Sequence, residues 1–152
     1  MTIIREAEDR DAEDMAEVQN AIYRAGLRAD PTDVDTIREV YLGGQGRVAC
    51  TVVEQDGRVV GFQSLRRAWP GNGYGVPEGW GIIGTHIHPE AGRSGLGRRL
   101  FAVSRRAAQD AGLQHIDATI GADNEAGLAY YRAMGFTPYK EGDGAIPHRL
   151  DL

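Results

Sequence analysis

Seven β-rich runs and four helical stretches, ordered β-α-α-β-β-β-α-β-α-β-β, predict an α/β domain: a mixed central sheet of about six to seven strands flanked by about four helices. Three local signals anchor that expectation. Asp56-Gly57 sits between two β-rich runs and reads as a hairpin turn. A glycine-containing stretch, Arg93-Ser94-Gly95-Leu96-Gly97-Arg98, joins a strand to a helix. Asn124 and Gly135 bracket a short aromatic helix.

Taken in order, Thr2 to Arg5 reads as the first strand, and Asp11 is placed to cap a helix whose buried side carries Met15, Val18 and Ile22. Pro31-Thr32-Asp33 opens a second helix bearing Val34, Ile37, Val40 and Tyr41, ended by Gly43-Gly44. Residues 48–54 and 58–65 are the hairpin strands. Residues 68–79 form a loop, because Pro70, Gly71, Gly73, Gly75, Pro77 and Gly79 would interrupt any regular element. The next strand runs from Gly81 to His88 and is closed by Pro89, which cannot donate to a ladder. Leu96, Leu100, Val103 and Ala107 recur at helical spacing and give the third helix its apolar face, with an end near Gly112. Residues 115–120 read as a strand, and a helix starts at Asn124 with Leu128 and Tyr131 on one face. Residues 136–139 and 148–152 read as short final strands.

Length and composition bound the function. At 152 residues, 41% hydrophobic and 26% charged, residues 1–152 are expected to form one globular domain. A formal charge of −5 argues against nucleic acid as a partner. The lone cysteine, Cys50, excludes an intrachain disulfide, the acidic start (Glu6-Ala7-Glu8-Asp9) is unlike a signal peptide, and no apolar run reaches bilayer-spanning length. The expectation is a cytoplasmic protein with no membrane partner.

The strand-to-helix glycines point to an anion. At such a junction several backbone N–H groups lack intrahelical partners, and the positive end of the helix dipole faces outward. Without Cβ atoms, Gly95 and Gly97 would let a phosphate approach the backbone. Arg93 and Arg98 could add charge-assisted bonds, and no acid interrupts the stretch between Ala91 and Gln109. A P-loop is excluded because no Gly-x-x-x-x-Gly-Lys-Ser/Thr string occurs, and a dinucleotide fingerprint starting at Gly95 would need a glycine where Leu100 stands.

Two motifs resemble those of the GNAT N-acetyltransferases. Ile87-His88-Pro89-Glu90 leading into Gly92-Arg93-Ser94-Gly95-Leu96-Gly97 is similar to the family's acyl-CoA motif, with Gly92 in place of the usual first Gln or Arg. Asn124-Glu125-Ala126-Gly127-Leu128-Ala129-Tyr130-Tyr131-Arg132-Ala133-Met134-Gly135-Phe136 resembles its later signature, with Gly127 in place of an alanine. The resemblance implies the GNAT fold and acetyl-CoA as co-substrate, lying along Thr85, His86 and Ile87 with its pantetheine paired like an added strand. It implies that the Ile87 N–H faces the acetyl carbonyl, that Asn124 hydrogen-bonds the cofactor, and that Tyr131 is the general acid for the departing thiolate. Tyr130, one residue away, is expected to point elsewhere and pack.

The base is less defined. The strand from Ile82 to His88 has no carboxylate, so His86 is the leading substitute, with Glu78 on the Gly/Pro loop a further candidate. His86 and His88 share a strand face but no third ligand accompanies them, so no metal is expected. Acceptor choice is placed on residues 68–79, with Trp69 and Tyr74, and near Tyr23 and Tyr41. The acceptor would be a small-molecule or peptide amine. A homodimer contact is another reading of that loop, and a catalytically silent acyl-CoA-binding module is the alternative to an enzyme.

Overall fold

The computed structural model describes residues 1–92 and 95–152. It contains β1 (Thr2–Glu6), α1 (Ala12–Arg24) and α2 (Val34–Ile37), the last continued by a π-helical turn over Arg38–Leu42. Then come β2 (Arg47–Gln55), β3 (Arg58–Arg67), β4 (Gly81–Ile87) and α3 (Leu96–Asp110). The chain closes with β5 (His115–Gly121), α4 (Glu125–Ala133), β6 (Thr137–Pro138) and β7 (Ala145–Asp151). Among the described residues the strands form one sheet in the order β1-β2-β3-β4-β5-β7-β6, as the mixed α/β reading predicted.

Every neighbouring pair in the sheet is antiparallel except β4 and β5. The β2–β3 hairpin turns at Asp56 (φ 52°) and Gly57 (φ 83°), the two positive values that a tight Asp-Gly turn requires. The parallel β4–β5 ladder covers only Gly81↔Ile116 and Ile82↔Asp117. Beyond it β5 continues along β7 as far as Gly121↔Ala145, while β4 stays with β3 as far as Gly61↔Ile87. The sheet is therefore split between its two central strands, and β4 changes from buried to half-buried along its length.

Strand alternation assigns the helices to faces. Val52 packs with Phe62, Met15, Val18 and Ile37 beneath α1 and α2, whereas Val53 packs with Leu96 and Leu100 of α3. Tyr131 of α4 joins Phe101 of α3 and Phe136 on that second side. No helix of the described residues is long and apolar enough to cross a membrane.

Several local expectations need correction. The buried face of α3 is Leu96, Leu100, Phe101, Ser104 and Ala108, and Val103 is exposed. The apolar stripe drifts toward Phe101 because the aromatic ring fills the space against Phe136. The strand expected over 136–139 shortens to two residues, and the last strand begins at Ala145, earlier than its sequence signal. Asp11 makes no side-chain cap bond to α1. Its carboxylate instead accepts from both terminal nitrogens of Arg5 at 2.8 Å and from the Glu8 N–H at 2.8 Å.

That pair fixes β1 to the start of α1, since Arg5 also reaches Glu54 at 3.0 Å. The Arg5 guanidinium holds the Asp11 carboxyl below the usual carboxylate range. A carboxyl lowered in the folded state stabilises fully above its unfolded value near ~4 and loses that contribution as pH falls through the folded one. Asp11→Ala is expected to cost about 3 kcal/mol by stranding part of a half-buried guanidinium, and urea melts at pH 7 and pH 3 should show the difference shrinking in acid.

Candidate active site

The end of β4 presents an unpaired edge. The His88 N–H donates to Val60 O at 2.8 Å, on the β3 side. Backbone donors alternate along a strand, so the Ile87 and Thr85 N–H groups point the other way, toward the space that β5 has left. Two cavities flank this stretch on opposite faces of the sheet, following the alternation of its side chains.

The first cavity, about 440 Å³, lies on the α3–α4 face and is lined by Thr85, Ile87, Gly95, Leu96, Gly97, Arg98, Asn124, Tyr130 and Tyr131, among others. Gly95 caps α3 at φ 75° and has no side chain to accept from the first turn; among the described residues no side chain caps those amides, which suits an anion. Gly97 lines this cavity and has a further role that its sequence did not suggest. A Cβ there would lie 2.7 Å from Cε1 of Tyr130, whose hydroxyl donates to Gly97 O at 2.7 Å. Gly97→Ala should be a net loss: the helix-propensity gain is about 1 kcal/mol, against roughly 1–3 kcal/mol for displacing a packed ring. A lower melting midpoint together with weaker acetyl-CoA binding would be the measured result.

Tyr130 packs against the core as expected, and it also lines the cavity instead of pointing elsewhere. Gln63 Nε2 donates to the Tyr130 hydroxyl at 3.0 Å and to Thr85 Oγ1 at 2.8 Å, and Thr85 Oγ1 lies 2.7 Å from the Tyr131 hydroxyl. One strand glutamine therefore ties both α4 tyrosines to β4. Burial pushes the Tyr131 phenol above its ordinary value, so it is fully protonated at neutral pH. Asn124 caps α4, its Oδ1 accepting from the Gly127 N–H at 3.0 Å. Gly127 has its own reason: a Cβ there would meet the Asn124 amide at 2.5 Å and Ile120 at 3.1 Å.

The second cavity, about 190 Å³, lies on the α1–α2 face and is lined by Tyr41, Ser64, Arg66, Tyr74, Gly84, His86, Asp117 and Thr119, with Ile82 and Ile83. His86 stacks on Phe62 at 4.7 Å and meets Tyr41 edge-on at 5.7 Å. Burial, with Arg28 adding positive charge, pushes its imidazole down to about 3. Asp117 is 2% exposed; its Oδ2 accepts from the Tyr139 hydroxyl at 2.5 Å and its Oδ1 from Thr119 at 3.0 Å. Burial raises the Asp117 carboxyl above the usual range.

The structure therefore brings together Thr85, Ile87, Gly95, Leu96, Gly97, Arg98, Asn124 and Tyr131, all on the first cavity. His86 faces the second cavity instead, and an imidazole held near 3 does not suit the base role expected of it. Glu78 is exposed and lines neither of these cavities, so that candidate is also set aside. Arg93 and Ser94 lie outside the described residues. Of the acceptor-side aromatics, Tyr41 and Tyr74 line the second cavity and Tyr23 does not. Asp117, Arg66 and Gln63 were not anticipated.

Comparison with known proteins is consistent with this geometry. The model of the acetyltransferase (GNAT) family matches residues 12–136. An S-(2-succino)cysteine N-acetyltransferase of Bacillus subtilis is 33% identical over 104 residues, 64% of this chain and 59% of that protein. A mycothiol acetyltransferase of Arthrobacter is 34% identical over 85 residues, 56% of this chain and 26% of that protein. The matched regions thus span well under two thirds of these relatives' lengths. Among solved structures, an acetyltransferase from Salmonella typhimurium with its cofactor acetyl-CoA superposes with a TM-score of 0.79 at 24% identity, covering 99% of this chain and 94% of that one.

Proposed function

The chain belongs to the acetyltransferase (GNAT) family, and we propose that it moves an acetyl group from acetyl-CoA to a primary amine of a small molecule or peptide by direct attack on the thioester. The observation that carries this reading is the Tyr131 hydroxyl, held 2.7 Å from Thr85 Oγ1 beside the unpaired edge of β4. The residues present fit acetyl-CoA. The amides at the start of α3 suit its diphosphate, and the Thr85 and Ile87 amides offer an edge to its pantetheine.

In the proposed reaction the amine nitrogen, entering from the second cavity, adds to the thioester carbonyl carbon through the β4–β5 split. The Ile87 N–H faces the oxygen on which negative charge develops. The C–S bond then breaks, an N–C bond having formed, and Tyr131 donates a hydrogen bond to the departing sulfur. The ammonium loses one proton to Asp117 through water, since a carboxylate raised by burial is a stronger base than an ordinary one and Asp117 lies level with Ile82 on the ladder; the second proton leaves the nitrogen as the amide forms and ends on the departing thiolate. His86 serves as a neutral wall between Phe62 and Tyr41.

Because His86 is already neutral above about 3, it contributes no acid limb to a rate profile between pH 5 and 8. His86→Asn should therefore change the height of that profile and leave its inflections in place. The general test is thiol release from acetyl-CoA across a broad amine panel. Turnover with one class of amine is expected; acetyl-CoA binding with no turnover by any amine would favour a silent binding module.

A further inference from the structure

The second cavity holds a cation and an anion that do not pair. Arg66 is 9% exposed, and among the described residues its side chain makes one hydrogen bond, from Nη2 to the Tyr74 hydroxyl at 2.7 Å. The guanidinium carbon sits 5.2 Å from the Trp69 ring centre and 5.4 Å from that of Tyr74. Among the described residues no carboxylate lies within ion-pair distance of it. The contrast with Arg5, less buried and bonded to both Asp11 and Glu54, is plain.

A buried guanidinium without a counter-anion is costly, and its planar fork of donors matches a carboxylate. The ladder places the missing partner. Arg66 pairs with Ile82 and Ile82 with Asp117, so Arg66, Ile82 and Asp117 form one cross-strand row. The cation thus flanks β4 on one side and the carboxylate on the other, about two strand spacings or ~10 Å apart at the backbone. Each is held by neutral hydroxyls, Tyr74 for Arg66 and Tyr139 with Thr119 for Asp117. Arg28 adds a second positive charge close enough to be felt at His86 and Tyr41.

We propose that Arg66 anchors a carboxylate of the acceptor, so that the amine substrate is a small amino-acid-like zwitterion, its carboxylate on Arg66 and its amino group toward Asp117. This rests on the acetyl-transfer reading above and names the substrate class of that site. Trp69 and Tyr74 act as positioning residues, since they hold the guanidinium at the cavity wall and provide the aromatic faces on which it stacks.

The test compares matched triplets: small amino acids, their carboxamides and their decarboxylated amines, assayed by thiol release with acetyl-CoA. For the unmodified protein, kcat/KM for the acid should exceed that for the carboxamide by about 100-fold, the scale of a lost charge-assisted bidentate contact. Arg66→Lys should retain part of that preference and Arg66→Gln should reduce it to within about threefold, with the loss carried mainly by KM. Carboxamides or simple amines turned over as well as the acids would overturn the proposal while leaving acetyl transfer intact. Calorimetric binding of N-acetylated amino acids and their amides, in the presence of CoA, gives a readout independent of turnover. Tighter binding of the acids supports the anchor even should no amine be acetylated, an outcome that would sink the catalytic reading instead. Equal or absent binding of acids relative to amides overturns the anchor, and because the unmodified protein supplies that comparison, misfolding of a variant cannot obscure it.

Discussion

Tyr131→Phe is expected to lower kcat by about 100- to 1,000-fold while acetyl-CoA affinity changes only a few-fold. The size follows from acidity. An ordinary phenol near ~10 is already a weaker acid than a thiol near ~8.5, so complete proton transfer to the leaving thiolate is uphill by about 2 kcal/mol. Burial raises Tyr131 further. Its contribution is therefore a hydrogen bond that strengthens as charge reaches sulfur, with protonation completed afterwards, and the loss should match that of one charge-stabilising donor. Folding should be little affected, because Phe keeps the ring contacts with Tyr130 at 4.9 Å and Phe136 at 5.2 Å. Thr85 Oγ1 retains its bond from Gln63, so a stability change of no more than about 1.5 kcal/mol is expected in denaturant melts. A variant with full kcat would remove Tyr131 from the chemistry.

Asp117→Asn should be the second large effect, with kcat/KM reduced roughly 100- to 1,000-fold. With the carboxylate present, enzyme base and ammonium react together, and the profile is flat from the raised Asp117 value up to that of the amine. In the variant only free amine can attack, so log kcat/KM should climb with a slope of about one through neutral pH until the amine itself titrates. Asparagine can still accept from Tyr139 and Thr119, which preserves the local packing and separates a proton-transfer role from a structural one. An unchanged profile shape would assign the proton to bulk water.

The residues that were legible in the sequence are those whose backbone requirements are local. Asn124 announces its cap and Gly135, at φ 102°, its stop, which sets Tyr131 on the correct face. Gly95 and Pro89 mark the strand-to-helix junction for similar reasons. The acceptor side was hidden by a general ambiguity of strands. In β5 the pattern His115-Ile116-Asp117-Ala118-Thr119-Ile120 reads as apolar inside and polar outside. Asp117 is buried and turns into a cavity instead of into solvent, while Thr119, also on that cavity, stays exposed at its mouth. Arg66 at the end of β3 and Gln63 within it were concealed in the same way. Tyr130 packs as expected but also reaches the site, because a step of 100° around α4 leaves it near the cavity rim, where a phenol is long enough to reach Gly97 O. His86 drew attention as the only titratable group in the strand interior, yet its neighbours Phe62 and Tyr41 hold it neutral.

The central claim is that the split between β4 and β5 leaves the Thr85 and Ile87 amides free for the thioester substrate. Residue-resolved amide hydrogen exchange, followed by NMR with and without saturating acetyl-CoA, measures this directly. The Thr85 and Ile87 amides should exchange readily in the free protein and slow by at least tenfold in the complex, together with the first-turn amides of α3. Bound acetyl-CoA that left both β4 amides exchanging as before, with protection elsewhere, would contradict the account.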